Sequence, residues 1–202
     1  MVMSLQRKRY LRRNINQVRR GLKSEPGQVN LAVGLFLTLF LVVYLFACLQ
    51  TERFRAASLY MEDALATSNL ASALVDLEQY GIAHKILIAE PVRAYQIYQN
   101  ALKNNLNLDD TWNGRQDGVI RGRVTIENYT VYNVDGTRVL VYRFGPDGAT
   151  VWEEVLGAAF APNGLLIENT SVYSEISFPV EICRGVQVTA RKGKLADIAA
   201  GN

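Results

Sequence analysis

The sequence predicts an α+β protein in which a long N-terminal transmembrane helix continues as an amphipathic rod, followed by a second short helix and an antiparallel β-sheet head. Three observations predict this order. Residues 31–49 form an uncharged apolar run, residues 50–80 contain no glycine or proline, and apolar residues alternate with a period of two beyond Val119. Because the helical segments come first and the strands follow, the class is α+β.

The net charge of +3 on this chain of 202 residues is unevenly distributed. Residues 1–27 carry eight basic residues against Glu25 alone, a net charge of +7, and subtracting +7 from +3 leaves −4 for the rest. A nucleic-acid-binding domain would spread its basic residues over a folded face, so we expect no nucleic-acid partner. A basic cluster before an apolar run favours a lipid bilayer instead. Its members are Arg7, Lys8, Arg9, Arg12, Arg13, Arg19, Arg20 and Lys23.

Residues 28–49 are predicted to form the transmembrane helix. A helix needs about 20 apolar residues to cross about 30 Å of hydrocarbon, and no charged residue occurs from Pro26 to Thr51. Lysine and arginine resist translocation, so residues 1–27 should form a cytoplasmic tail or leader. The chain after residue 49 should then be extracytoplasmic. We therefore expect a single-pass protein of the cell membrane, in a bacterial host.

Three alternative interpretations of the apolar run stay open. A cleaved secretory signal peptide would have a shorter apolar region and a small-x-small cleavage site. Residues 45–48 loosely resemble a bacterial lipobox, in which Cys48 would be lipidated, although Phe46 is bulky for that motif. A buried helix of a soluble protein would need a surrounding core that the remaining residues can hardly supply.

The helical pattern is predicted to continue outside the membrane over residues 50–80, with Gly81 as its C-terminal cap. This outer half is amphipathic, and small residues recur along it at intervals of four. Such a stripe would let another helix approach closely; the alternative is that it packs against the chain's own sheet. The residues of the stripe are Ala56, Tyr60, Ala64, Ser68 and Ser72.

Residues 81–202 are predicted to form an extracytoplasmic α+β domain. Residues 82–89 have the pattern of a short strand, and Pro91 suits the first turn of a second helix that reaches about Asn104. Residues 107–118 are polar and rich in turn formers. The domain therefore begins with a strand and a helix before its main sheet.

An antiparallel sheet of five to seven strands should follow. Asp135-Gly136 is a strong hairpin signal between two segments of alternating pattern, and Pro146-Asp147-Gly148 and Pro162-Asn163-Gly164 mark further turns. The predicted strands are residues 119–133, 138–144, 150–155, 170–180 and 186–191.

The sequence offers no pattern typical of catalysis. His84 is the single histidine, and we expect it on a strand surface, so neither a nucleophile–base pair nor a zinc or haem site is predicted. The adjacent pairs Glu153-Glu154 and Asp109-Asp110 should not act as dyads, because neighbours in a strand point to opposite faces and neighbours in a loop are usually solvated. We predict no enzyme activity, no metal and no cofactor.

The layout resembles a pilin-type subunit: a basic leader, a glycine, a long apolar helix that continues as an amphipathic rod, and a sheet-rich head. More narrowly, residues 27–31 (GQVNL) and 62–73 (EDALATSNLASA) are similar to minor pseudopilins of the TadE/TadF-like group of tight-adherence pili. The resemblance covers about residues 20–80. It implies a membrane-anchored protein that helps to assemble a surface filament or secretion apparatus. It also implies that Gly27 ends the leader and Gln28 begins the mature chain.

One position departs from the pilin pattern. Pilin-type members carry a glutamate at the fifth position of the mature chain, where this sequence has Ala32, and Glu25 lies before the cleavage point. The departure argues against a major subunit, because a helix without that charge loses a registering contact in lipid. The first hypothesis is thus a pseudopilin-like structural protein that contacts other helical pilin-like or secretion-system subunits in a homo- or hetero-oligomer. The alternatives are a bitopic envelope scaffold with an intact N-terminus, and an extracytoplasmic binding module.

Overall fold

The computed structural model describes residues 26–115, 120–183 and 186–198. The chain divides into two units, Met1–Phe54 and Arg55–Asn202. What is described of the first unit is helical and belongs to helix α1, which spans Pro26–Ser72. The second unit holds the remaining helices and the whole sheet, so the folded α+β domain begins close to Arg55.

The apolar part of α1 presents an unbroken hydrophobic surface. Its large side chains are exposed from Val29 to Leu49. The hydroxyl of Thr38 donates to the carbonyl of Gly34 at 2.9 Å, and that of Thr51 donates to the carbonyl of Ala47 at 3.0 Å. Because these two hydroxyls bond within the helix itself, neither is left as an unpaired donor.

The predicted helical rod to residue 80 was too long. Helix α1 ends at Ser72, and a separate helix α2 spans Leu77–Ala83. A side-chain oxygen of Asp76 accepts from the N–H groups of Glu78 at 3.0 Å and Gln79 at 3.1 Å. An aspartate in this position starts a helix, which explains why a new helix begins here.

The predicted cap at Gly81 and the predicted strand at residues 82–89 were also wrong. Gly81 lies inside α2, which ends at His84 in the left-handed conformation with φ 52°. Only Ile88 of the predicted strand makes a β-bridge, with Val75. Helix α3 then spans Pro91–Asn105, with its proline at the predicted first turn.

The predicted antiparallel sheet is confirmed. Its order is β3-β2-β1-β4-β5, with antiparallel pairing at every step. Gly136 follows β1 with φ 62°, so the predicted hairpin forms with Gly136 and Thr137 as its loop residues. The strands are β1 Thr125–Asp135, β2 Arg138–Gly145, β3 Gly148–Val155, β4 Ser171–Cys183 and β5 Val186–Asp197.

The two faces of the sheet are covered differently. Face A, which carries Tyr129 and Val131, packs against buried side chains of α1 and α3 in the larger core, including Leu65 and Tyr98. Face B is covered by the segment between β3 and β4. That smaller core consists of Tyr132, Val139, Val141, Ala159, Ala161, Ile167 and Tyr173.

Candidate functional site

The apolar part of α1 is the clearest functional feature of the chain. Among the described residues, α1 is the one helix that is long and apolar enough to cross a membrane, and it lies near the N-terminus. Gly27 and Gln28, the predicted cleavage residues, lie in its first turn. The thiol of Cys48 is free and exposed. The predicted basic tail, from Arg7 to Lys23, lies outside the described residues.

The small-residue stripe on α1 lies inside the chain's own domain. Ala64, Ser68 and Ser72 are buried and Tyr60 is half-buried, whereas Ala56 is exposed. The Tyr60 hydroxyl donates to the carbonyl of Asn105 at 2.5 Å, and the side-chain amide of Asn105 donates to the Ser68 hydroxyl at 3.0 Å. The stripe from Tyr60 to Ser72 therefore packs against α3 and the sheet, which is the second of its two predicted packings, whereas Ala56 does not take part.

A buried polar seam joins the end of α1 to the sheet. The Tyr129 hydroxyl of β1 donates to the Ser72 hydroxyl at 2.9 Å, and burial raises the pKa of Tyr129, so that this group stays protonated. The side-chain amide of Asn69 donates to the carbonyl of Lys194 at 2.9 Å. Because a buried polar group is costly to leave unpaired, these bonds favour this placement of the helix on the strands.

Glu62 on α1 forms an ionic cluster with two lysines of β5. Its carboxylate lies 2.6 Å from the Lys194 ammonium and 3.1 Å from that of Lys192. The hydrogen bond from Lys194, followed by that from Lys192, lowers the pKa of Glu62. Sequence reasoning missed this cluster. Its signal was the Lys-x-Lys spacing, which places both lysines on one face of a strand.

A cleft of about 490 Å³ opens on face A between α2 and the strands β1 to β3. Its charged residues already contact partners within the protein. Asp135 lies 2.6 Å from Lys85, and Arg138 lies 3.4 Å from Glu153. These contacts indicate a cleft whose charges support the fold, rather than a set of converging catalytic groups.

The residues considered for catalysis have structural roles. His84 caps α2 instead of lying on a strand, and its ring meets Tyr80 edge-on with 6.2 Å between centroids. The hydroxyl of Thr111 donates to Asp109 at 2.7 Å and lowers its pKa, with further bonds from the N–H groups of Thr111 and Asn113. Asp109 therefore organises its loop.

Catalytic pairing and metal binding have no support in the described part of the chain. Glu153 and Glu154 occupy neighbouring positions of β3, where successive side chains alternate between the faces. In residues 26–115, 120–183 and 186–198, no group of three or more His, Cys, Asp or Glu side chains is arranged to hold a metal ion.

The two edges of the sheet differ in charge and protection. Seven of the eight residues of β3 are exposed, among them Val151, Trp152 and Val155. At the opposite edge, most of β5 from Ala190 onward is half-buried, and two of its lysines face α1. Apolar, exposed edge strands are uncommon because they pair readily with other chains.

Comparison of the chain with known protein families, with curated proteins and with solved structures finds no match. Three features of the described structure bear on function: an apolar helix with an exposed surface, a folded α+β domain, and an unprotected sheet edge.

Proposed function

We propose that this chain is a membrane-anchored, pseudopilin-like structural protein that takes part in the assembly of a surface filament or secretion apparatus. The apolar part of α1 crosses the membrane, the basic residues before it remain in the cytoplasm, and the α+β domain lies on the extracytoplasmic side. The domain contacts other subunits and carries out no chemistry.

One observation carries this proposal. A single helix, Pro26–Ser72, supplies both an uncharged apolar segment with exposed side chains and a second segment that is packed into a folded domain. The resemblance of residues 27–31 and 62–73 to TadE/TadF-like pseudopilins supports the same function. Exposing this much apolar surface to water would be costly at roughly 25 cal/mol per Å², and a lipid bilayer removes that cost.

Membrane anchoring is tested by placing a charge in the centre of the apolar segment. Leu39 is 63% exposed and Leu70, on the same helix, is 56% exposed. Arginine at the centre of a transmembrane helix costs about 2.5–3.5 kcal/mol. Leu39→Arg should therefore move protein from the membrane fraction to the soluble or degraded fraction, whereas Leu70→Arg should leave it in the membrane. Equal partitioning of both variants would overturn the anchor.

Assembly is tested by deletion and by co-purification. Removing the gene should abolish surface filaments or secretion, and the tagged full-length protein should bring down other helical subunits from detergent extracts. The Leu70→Arg variant serves as a control that keeps the anchor. Normal filaments and normal secretion after deletion would contradict the proposal.

Ala32 favours a second candidate, a bitopic envelope scaffold that keeps its N-terminal tail. The residue occupies the position at which pilin-type proteins carry glutamate, and alanine cannot provide the same charge contact. Mass spectrometry of the membrane-extracted protein separates the two functions. A chain that begins at Gln28 supports the pseudopilin, and a chain that retains the residues before Gly27 supports the scaffold.

A further inference from the structure

The outer edge of β3 has the geometry of a strand-binding site. In a two-residue hairpin the flanking pair, here Gly145 and Gly148, is hydrogen-bonded, and the bonded pairs alternate after it. The N–H and C=O groups of Ala149, Val151, Glu153 and Val155 therefore point away from β2. Among the described strands, none pairs with this side of β3.

The side chains along this edge define the chemistry of a partner. Val151 is 59% exposed and Val155 is 65% exposed, so the edge has an apolar character. Glu153 and Glu154 make it acidic. A matching strand should combine small or apolar residues with basic ones, because cross-strand pairs of opposite charge stabilise a sheet and like charges destabilise it.

The strand at the other edge of the same sheet meets this description. β5 carries Arg191, Lys192 and Lys194 close to Ala190 and Val188. The two lysines share the single carboxylate of Glu62, so this edge keeps an excess of positive charge. We propose that the β3 edge of one copy of this chain binds the β5 edge of a second copy, so that the sheet continues from one molecule into the next. This contact identifies a second copy of the chain as one partner in the proposed assembly, so the inference rests on the proposed function.

The direction of the strands sets the orientation of the second copy. Four antiparallel steps separate β3 from β5, so the two strands run in the same direction. A second copy in the same orientation adds its β5 parallel to β3. The register that matches the charges places Glu153 beside Lys192 on face A and Trp152 beside Arg191 on face B, where a cation can stack on the indole ring.

Charge disfavours the two symmetric alternatives. Pairing β3 with a second β3 would place four carboxylates in one ladder, two of them already paired with Arg138, and pairing two β5 strands would place six basic side chains together, four of them sharing two Glu62 carboxylates. An excess of like charge remains in each case. Joining opposite edges avoids both sets of repulsions. A contact between two different edges is heterologous. It leaves a β3 edge free at one end of the pair and a β5 edge free at the other, so further copies can add in an open line.

Site-specific cross-linking of the full-length protein in lipid vesicles tests the contact. Two differently tagged forms carry Val151→Cys and Ala190→Cys, each with Cys48→Ser and Cys183→Ser, and a short bismaleimide joins nearby thiols. We expect cross-linking of Val151→Cys to Ala190→Cys to exceed that of two Val151→Cys forms at least tenfold. Val92→Cys, at an exposed valine of α3, gives the background level.

Charge variants provide the matched comparison. Glu153→Lys with Glu154→Lys should lower the cross-linked fraction at least fivefold, whereas Glu168→Lys, at an exposed loop glutamate, should not change it. A cross-link between two Val151→Cys forms would overturn the proposal in favour of symmetric pairing, and cross-linking at the Val92→Cys level would overturn it outright. Filament subunits that co-purify without this cross-link would refute the inference alone, and the cross-link without co-purifying subunits would refute the proposed function.

Discussion

The side-chain amide of Asn133 makes both of the hydrogen bonds that a neighbouring strand would make with Ile88. Its carbonyl oxygen accepts from the Ile88 N–H at 2.8 Å, and its NH₂ group donates to the Ile88 carbonyl at 3.0 Å. Nearby, the Thr170 hydroxyl donates to the carbonyl of Ile86 at 2.6 Å. Asn133 of β1 and Thr170, which directly precedes β4, thus fix the segment that precedes α3.

Asn133→Ala should destabilise the domain because it leaves the buried N–H and C=O of Ile88 unpaired. An unsatisfied buried group costs about 1–3 kcal/mol. Denaturant unfolding of the detergent-solubilised full-length protein, followed by tryptophan fluorescence, measures the change in the free energy of unfolding. Asn133→Asp can still accept from Ile88 but cannot donate to it while ionised, so it should not restore wild-type stability. Asn100→Ala, at an exposed position of α3, is the control, and an equal effect of both alanine variants would contradict the assigned bonds.

Leu65→Ala should cost much more than Leu70→Ala, although both leucines lie on α1. Leu65 is fully buried against the sheet and Leu70 is 56% exposed. Truncation of a buried leucine costs about 2–5 kcal/mol, since a cavity adds to the lost apolar burial, whereas surface changes usually stay within about 0.5 kcal/mol. The same unfolding measurement distinguishes them. Similar losses would show that this part of α1 does not pack on the sheet as described.

Two glycines should respond to alanine with opposite signs. A Cβ atom at Gly193 of β5 would contact the Tyr173 hydroxyl, with the ring carbon that carries it at 3.0 Å. Overpacking of this kind costs about 1–3 kcal/mol, and adding Tyr173→Phe should recover part of the loss. Gly81, inside α2, has nothing within 4 Å of its Cβ position, so Gly81→Ala should stabilise α2 by about 0.5–1 kcal/mol. Thermal melting of the three variants checks the signs, and destabilisation by Gly81→Ala would contradict the helical assignment.

The parts of the fold that the sequence predicted correctly depend on local patterns. The apolar run of α1, Pro91 at the start of α3 and the Asp135-Gly136 hairpin each carry their structural signal within a few residues. The prediction of a strand at residues 82–89 was wrong because the same pattern is also compatible with a coil. The side chains of Asn133 and Thr170, which are far away in the sequence, hold this segment in its irregular conformation.

The interaction surfaces were less predictable than the elements. Alternation identified β3, but its place at an edge follows from the pairing order, which local pattern does not specify. The Glu62 cluster likewise joins α1 to β5 across the whole domain. The prediction of one continuous helix to residue 80 failed for a different reason. The segment has a strong helical composition, and the prediction did not use Asp76 within it as the start of a new helix, although aspartate is a recognisable helix N-cap.

Glu62→Gln should reduce stability at neutral pH and have little effect in acid. The bonds from Lys194 and Lys192 hold the folded-state pKa of Glu62 below its ordinary value of 4.5. Above that value both folded and unfolded states are ionised, so the full stabilisation is present. As pH falls, the unfolded state takes up the proton first, and the stabilisation is lost as pH drops through the folded-state pKa. The difference in melting temperature between wild type and Glu62→Gln should therefore shrink below about pH 4.5, and added salt should also reduce it because the cluster is partly exposed.

Glu90→Gln is the control, since Glu90 pairs loosely with Arg93 at 3.9 Å. A wild-type advantage over Glu62→Gln that stays constant down to about pH 3 would show that the lysines do not lower the pKa of the Glu62 carboxylate.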